Sequence, residues 1–402
     1  MAGHTLTQAL ESARVDRLEA SMRGAVQDTA YGVLRYRGTL DSILRQLVVK
    51  PLSDAGTRAL LLVCLYQLTY SRTAPYAVVN NGVEAAQHKY KKLVNAVLRN
   101  FQREQAALLE GVQQTSEGRY NHPDWWVQKL KQNYPVDWDT ILEANQSHPP
   151  MTLRVNRRKT EPGQVLADLH AAGLIGVEVF PGAIKLEHPV PVARVPGFAE
   201  GRVSVQDAGA QWAAGLLDAR DGMSVLDACA APGGKTGHLL ELADVGLVAL
   251  DVDERRLTRV RQNLDRLGLS AELKTGNAAR LESWWSGREF DRILADVPCS
   301  ASGVVRRNPD IKWLRRPEDM TAFVRQQREI LEALWQTLAA GGKLLYATCS
   351  VFAEENGNQI EAFLVRHADA RQLKLPLELD KGQLLPNDRH DGFYYALLEK
   401  RI

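Results

Sequence analysis

Two stretches of this chain set a cysteine in matching surroundings. Ile293-Leu-Ala-Asp-Val-Pro-Cys299-Ser-Ala-Ser-Gly303 and Lys343–Ser350 (KLLYATCS) each run through apolar residues to a cysteine that is followed by serine. A lone cysteine in such a place reads best as a small buried apolar side chain. Two, each just past an apolar strand, point to chemistry, because the carboxyl ends of strands in an open α/β sheet are where active-site crevices form. Pro298 stiffens the chain before the first thiol and fixes its direction. A thiolate is a nucleophile that splits one hard step into two easier ones. Asp296 stands three residues before Cys299 and can relieve charge as a proton carrier.

A third string, Asp227-Ala-Cys-Ala-Ala-Pro-Gly-Gly-Lys-Thr236, follows an apolar strand and opens a helix. Gly233 and Gly234 let the backbone turn tightly and approach a ligand, and the helix start offers free N–H groups. A phosphate-binding Walker loop needs a glycine where Cys229 stands, and a dinucleotide GxGxxG does not fit either. Asp251 closes the next strand, where an acidic residue commonly takes ribose hydroxyls. The description is of an adenosine ligand with little or no phosphate, which S-adenosylmethionine satisfies. A thiol beside a methyl donor suits a pyrimidine. Carbon 5 of that ring is too electron-poor to attack a sulfonium methyl until a thiolate adds at carbon 6, with charge relieved at N3 by Asp296. The cycle closes when the carbon-5 proton leaves and the thiol is eliminated; a second thiol can help as base or in release.

These groups need a scaffold, and alternating strand and helix patterns provide it from about residue 201. Strands are expected at 224–228, 247–251, 271–275, 290–295 and 343–347, with a last one at 392–399. Helices are expected between them at 236–243, 254–267, 317–339 and 354–367. Residues 7–110 carry helical periodicity only, for example Leu40, Ile43, Leu44 and Leu47, punctuated by Pro51 and Pro75. Residues 111–123 read as a linker. The expected division is an all-helical domain over 1–115, a small α+β connecting subdomain over 116–200, and a catalytic domain over 201–402.

Composition bounds the rest. The chain has 402 residues, 45% hydrophobic and 24% charged, with net charge +2, ordinary values for a globular protein. Cys64, Cys229, Cys299 and Cys349 are too few for a disulfide framework and show no CxxC pairing for zinc, so no metal is expected. There is no apolar run of the roughly 18 residues a membrane span needs and no visible signal peptide; a cytoplasmic monomer is expected. The charge is uneven: residues 1–145 hold 17 Lys+Arg against 14 Asp+Glu. Basic strings around Arg154, Arg157, Arg158 and Lys159, around Lys89, Lys91 and Lys92, and along Arg306, Arg307, Lys312, Arg315 and Arg316 are candidates for phosphate contacts. Of these, Arg154, Arg157, Arg306, Arg307 and Lys312 are the strongest candidates for touching RNA. Trp125 and Trp126 read as packing anchors.

DACAAPGGKT, ALDVDERRLTRV, DVPCSASGVVRRNPDIKW and LLYATCSVFAEEN closely resemble the RNA (cytosine-5) methyltransferases, and most of all their bacterial Fmu/Sun branch, which modifies cytosine 967 of 16S rRNA. The resemblance extends over essentially the whole chain, since that branch carries an N-terminal domain similar to the NusB antiterminator. It implies a Rossmann-like class I methyltransferase domain, doubly wound and mostly parallel, behind an all-α NusB-like domain. It also implies S-adenosylmethionine as cofactor and 16S rRNA as partner. The Thr-Cys thiol, Cys349, would be the nucleophile, and the Pro-Cys thiol, Cys299, would act in product release. The related DNA enzymes use the Pro-Cys thiol instead, so sequence alone leaves the choice open. Cys229, Ala230, Ala231, Pro232, Gly233, Gly234 and Lys235 would line the methyl-donor loop, Asp251 would take its ribose, and Asp296 would lie against the base. One departure concerns the donor: where the family usually has Gly-Asp, this chain has Gly276-Asn277. Asn277 can still accept from an adenine amino group, at reduced strength. The rival readings are a tRNA cytosine-5 methyltransferase and a non-catalytic RNA-binding or antitermination-like factor.

Overall fold

The computed structural model describes residues 4–402. Its elements gather into two units, one running to Ser147 and taking in Val305–Arg316, the other comprising His148–Val304 and Pro317–Ile402.

The first unit is helical. Its longer helices are Ala20–Arg35, Arg37–Leu47, Ala55–Tyr70, Pro75–Ala85 and Lys91–Val112, followed by Ser116–Tyr120, Asp124–Asn133 and Trp138–Gln146. Helical spacing brings Leu40, Ile43, Leu61, Leu65, Val94 and Phe101 into one core. Asp54 caps its helix by accepting from the Thr57 N–H at 2.7 Å, and Pro75 sits in a first turn, where its missing N–H costs nothing. The stretch expected to be a linker is structured instead. Asn121 accepts from the Thr39 N–H at 2.9 Å, and the Thr39 hydroxyl donates to the Gly118 carbonyl. The backbone approaches Gly38 so closely that a Cβ there would lie 2.0 Å from the Glu117 oxygen. By its internal contacts the helical unit runs on to Ser147. Trp126 is fully buried, as a packing anchor should be.

The second unit holds two sheets. The smaller is antiparallel, in the order β2-β3-β1-β4, from β1 (Thr152–Val155), β2 (Gly176–Phe180), β3 (Ala183–Leu186) and β4 (Val203–Val205). Helix Pro162–Ala171 packs Val165 and Leu169 against Leu153 and Ile184. The larger sheet contains β5 (Ser224–Ala228), β6 (Gly246–Asp251), β7 (Glu272–Thr275), β8 (Phe290–Asp296), β9 (Leu338–Thr348), β10 (Ala370–Leu373), β11 (Gln383–Leu384) and β12 (Phe393–Lys400). Its order is β10-β12-β9-β8-β5-β6-β7, with β11 beside β12. β7, β6, β5, β8 and β9 are parallel, while β12 runs antiparallel to β9. The chain winds outward from β5 through β6 to β7, then returns to β8 on the other side. Such a reversal opens a crevice beyond the carboxyl ends of the two central strands. Burial on both faces, with Val225, Leu226, Leu294 and Leu345 fully covered, explains the continuous apolar strings that mark these strands in the sequence.

Candidate active site

Every predicted chemical group of the larger sheet arrives at that crevice edge. β5 ends at Ala228 in register with Ala295 of β8, and Asp296 pairs with Ala347 of β9. The loops after β8 and β9 therefore start side by side, and their cysteines meet: Cys299 Sγ and Cys349 Sγ are 3.4 Å apart. Backbone bonds tie the loops together, from the Val297 N–H to the Ala347 carbonyl and from the Gly303 N–H to the Cys349 carbonyl. Cys299 is buried and Cys349 is partly open. The hydrogen bond with Cys349, and then burial, push the Cys299 thiol well above its ordinary pKa.

Asp296 projects from the end of β8 and pairs with Lys235, its Oδ2 lying 2.6 Å from Nζ. Burial works against the Lys235 charge, but Asp296 outweighs it and holds the ammonium above its ordinary pKa. The lysine comes from helix Gly234–Leu242, immediately after the glycine turn. Gly233 has φ of 94°, and a Cβ would stand 3.0 Å from Val260, so both conformation and space call for glycine. Cys229 takes a positive φ of 62° at the start of this loop. Asp251 lies at the end of β6 and is buried; it accepts from the Ala231 and Asp253 N–H groups and faces Arg256 at 3.2 Å. It thus orders the glycine loop directly. Asn277 is exposed, and its side-chain oxygen accepts the Ala279 N–H at 3.0 Å. Asp227 is buried and accepts from the Thr236 hydroxyl, while its Oδ1 has no hydrogen-bond partner. Burial pushes its carboxyl up to about 7, partly offset by the Thr236 bond.

The basic residues divide. Arg157 is exposed, as are Arg158 and Lys159, so they remain able to reach a phosphate. Arg154 is 1% exposed and fully engaged: it forms a bidentate pair with Glu241 at 2.6 and 2.8 Å and donates to Gln206 and the Gly234 carbonyl. Arg306 and Lys312 lie inside the helical unit. Arg306 is 1% exposed; its carbonyl accepts from Arg35, and its guanidinium faces the Ser147 hydroxyl at 3.4 Å. Lys312 is fully buried and donates to the Arg35 carbonyl and the Gln146 side chain. Arg154, Arg306 and Lys312 are thus internal fasteners, and the expectation that they contact RNA is corrected on that ground. Arg307 is half-buried. Sequence reading missed the Lys235–Asp296 pair and the role of Glu355, a buried carboxylate behind the two cysteine loops; neither is signalled by spacing.

This sheet order and loop set define a Rossmann-like methyltransferase domain. A family model described as "16S rRNA methyltransferase RsmB/F" matches residues 214–399, a "ferredoxin-like domain" of the same proteins matches 122–193, and "NusB family" matches 2–103. The chain is 46% identical to ribosomal RNA small subunit methyltransferase B of Vibrio cholerae over 99% of its length and 94% of that protein, and 48% identical to its Pseudomonas putida counterpart over 96% and 93%. A solved methyltransferase homolog from Pyrococcus horikoshii shares 29% identity at a TM-score of 0.61, covering 71% of this chain and 97% of its own. The chain belongs to the RsmB/F family of 16S rRNA methyltransferases, enzymes that use S-adenosylmethionine. Among the described residues, no group of His, Cys, Asp and Glu could hold a metal ion, and no helix is long and apolar enough to cross a membrane.

Proposed function

We propose that this protein methylates carbon 5 of a cytosine in 16S rRNA, at the cytosine-967 position, through a transient bond between Cys349 and carbon 6 of the base. The observation that carries this reading is the pair of thiols 3.4 Å apart beside the Lys235–Asp296 ion pair. S-adenosylmethionine supplies an electrophilic methyl group when bound. The glycine-requiring turn at Gly233 and the unpartnered Oδ1 of Asp227 fit a ligand approaching this loop. Residues 229–235, Asp251 and Asn277 would hold it.

Cys349 is the more open thiol and attacks carbon 6; Asp296, held by Lys235, carries the proton at N3. Cys299 retains its proton beside the Cys349 sulfur and gives it to that sulfur as the sulfur–carbon bond breaks, while water takes the carbon-5 proton and its bonding pair restores the carbon 5–carbon 6 double bond. Cytosine reaches these groups only outside a base stack, and Arg157, Arg158 and Lys159 offer phosphate contacts. In transfer assays with labelled methyl donor and 16S rRNA, Cys349→Ala abolishes product. Cys299→Ala accumulates a protein–RNA adduct that survives denaturing gels. The opposite pattern reverses the roles. Bisulfite sequencing of a deletion strain places the lost mark in 16S rRNA; its loss from tRNA instead overturns the substrate.

A further inference from the structure

Both reactive-site cysteines are followed by serine, and the two serines converge on one carboxylate. Glu355 closes a single turn, Ala353–Glu355, and is fully buried. Its Oε2 accepts from the hydroxyls of Ser300 and Ser350, each at 2.5 Å, and its Oε1 accepts from the Ser300 N–H at 2.8 Å and from Gln327 Nε2 at 3.0 Å. Gln327 in turn donates to the carbonyl of Pro298, the residue before Cys299. Ser302 donates to or accepts from Ser350 at 2.9 Å, closing the network. No lysine or arginine stands among these partners. Four donors from three chain segments satisfy the charge, which is how a carboxylate survives full burial.

We propose that Glu355 is a positioning residue that sets the separation of the two thiols, by drawing the serine after Cys299 and the serine after Cys349 onto one carboxylate. It touches neither base nor methyl donor; it acts through the loops. The proposal rests on the assigned division of labour, in which Cys299 must lie against the Cys349 sulfur for release. The network's geometry holds the sulfurs at 3.4 Å, and the Glu355 charge joins the Cys349 hydrogen bond and burial in keeping Cys299 protonated.

The test compares Glu355→Ala, Glu355→Gln and Ser350→Ala with the unaltered protein in glutathione buffers. Reduced protein and oxidised glutathione exchange to give the Cys299–Cys349 disulfide and two reduced glutathiones, so the equilibrium constant reads the effective concentration of one thiol at the other. Peptide mass spectrometry assigns the bond. The expected result is a fall of tenfold or more in Glu355→Ala and a smaller fall in Glu355→Gln and Ser350→Ala. With RNA, kcat falls while KM for S-adenosylmethionine holds, and the denaturation-resistant adduct persists longer. A folded Glu355→Ala protein with an unchanged thiol equilibrium overturns the proposal. If Glu355→Ala fails to fold, an unchanged equilibrium in both Glu355→Gln and Ser350→Ala overturns it. Absence of any RNA adduct, even in Cys299→Ala, overturns the proposed reaction instead and leaves the thiol measurement standing as the test of Glu355.

Discussion

Asp227 holds its proton near neutrality because burial behind the glycine loop takes its carboxyl out of water. Its folded-state pKa of about 7 lies above the ordinary value of 3.8. The folded protein therefore binds more protons than the unfolded chain between those limits, and stability declines as pH rises through that window, by up to about 1.4 kcal/mol per pH unit. Asp227→Asn mimics the protonated form and keeps an acceptor for Thr236. Its thermal midpoint should match that of the unaltered protein near pH 3.5, below the unfolded carboxyl's pKa, and exceed it at pH 8. Gly233→Ala should weaken methyl-donor affinity by tenfold or more in calorimetric titration, because the new Cβ meets Val260 in a strained backbone region. The cysteines, the glycine turn and Asp251 are legible in the sequence because each belongs to a short string at a strand end. The Lys235–Asp296 pair is not, since its members are 61 positions apart and only the register of β5 beside β8 unites them.

Strands and helices of the larger sheet were visible as apolar strings alternating with amphipathic stretches, and helix Glu254–Leu267 matches its expected bounds. For the smaller sheet the sequence marks one strand, over 151–155, which is β1. Its other strands are three to five residues long, and β2 is largely open to solvent, so neither length nor alternation marks them. Arg154 shows why charge is a poor guide to placement. It leaves β1 and binds Glu241 in helix Gly234–Leu242, with both side chains at most 2% exposed. Arg154→Ala leaves a buried carboxylate without its partner, and a loss of about 3–5 kcal/mol is expected in denaturant unfolding. Arg154→Ala combined with Glu241→Ala should recover part of that loss. The Arg306–Lys312 segment misleads for a related reason: Lys312 donates to the Arg35 carbonyl and Arg35 to the Arg306 carbonyl, matches that no count of acidic residues records.

The molecule's small net charge conceals groups that respond to acid. His122 is fully buried, and burial followed by the nearby Lys312 holds its pKa well below 6.5. The unfolded chain takes up that proton first, so the stability due to neutral His122 is present above about pH 6.5 and is lost as pH falls, by about 1.4 kcal/mol per unit. Thermal unfolding should drop between pH 7 and 5, and His122→Asn should flatten the drop. His238, depressed chiefly by its own burial, adds in the same sense within the other unit.

The helical unit includes Val305–Arg316, which begins 158 residues after Ser147 (305 − 147). Trp313 from that segment donates to the Leu34 carbonyl, and Asp310 accepts from the Leu6 N–H. During synthesis, then, the first unit to emerge from the ribosome is still incomplete when its own 147-residue stretch has been made. At elongation rates of about 5–20 residues per second it waits roughly ten to thirty seconds for its closing piece, and by then both the glycine loop and Cys299 have been made. The order of translation makes completion of the amino-terminal unit wait on a segment encoded inside the stretch that builds the other unit, ahead only of that unit's residues 317–402.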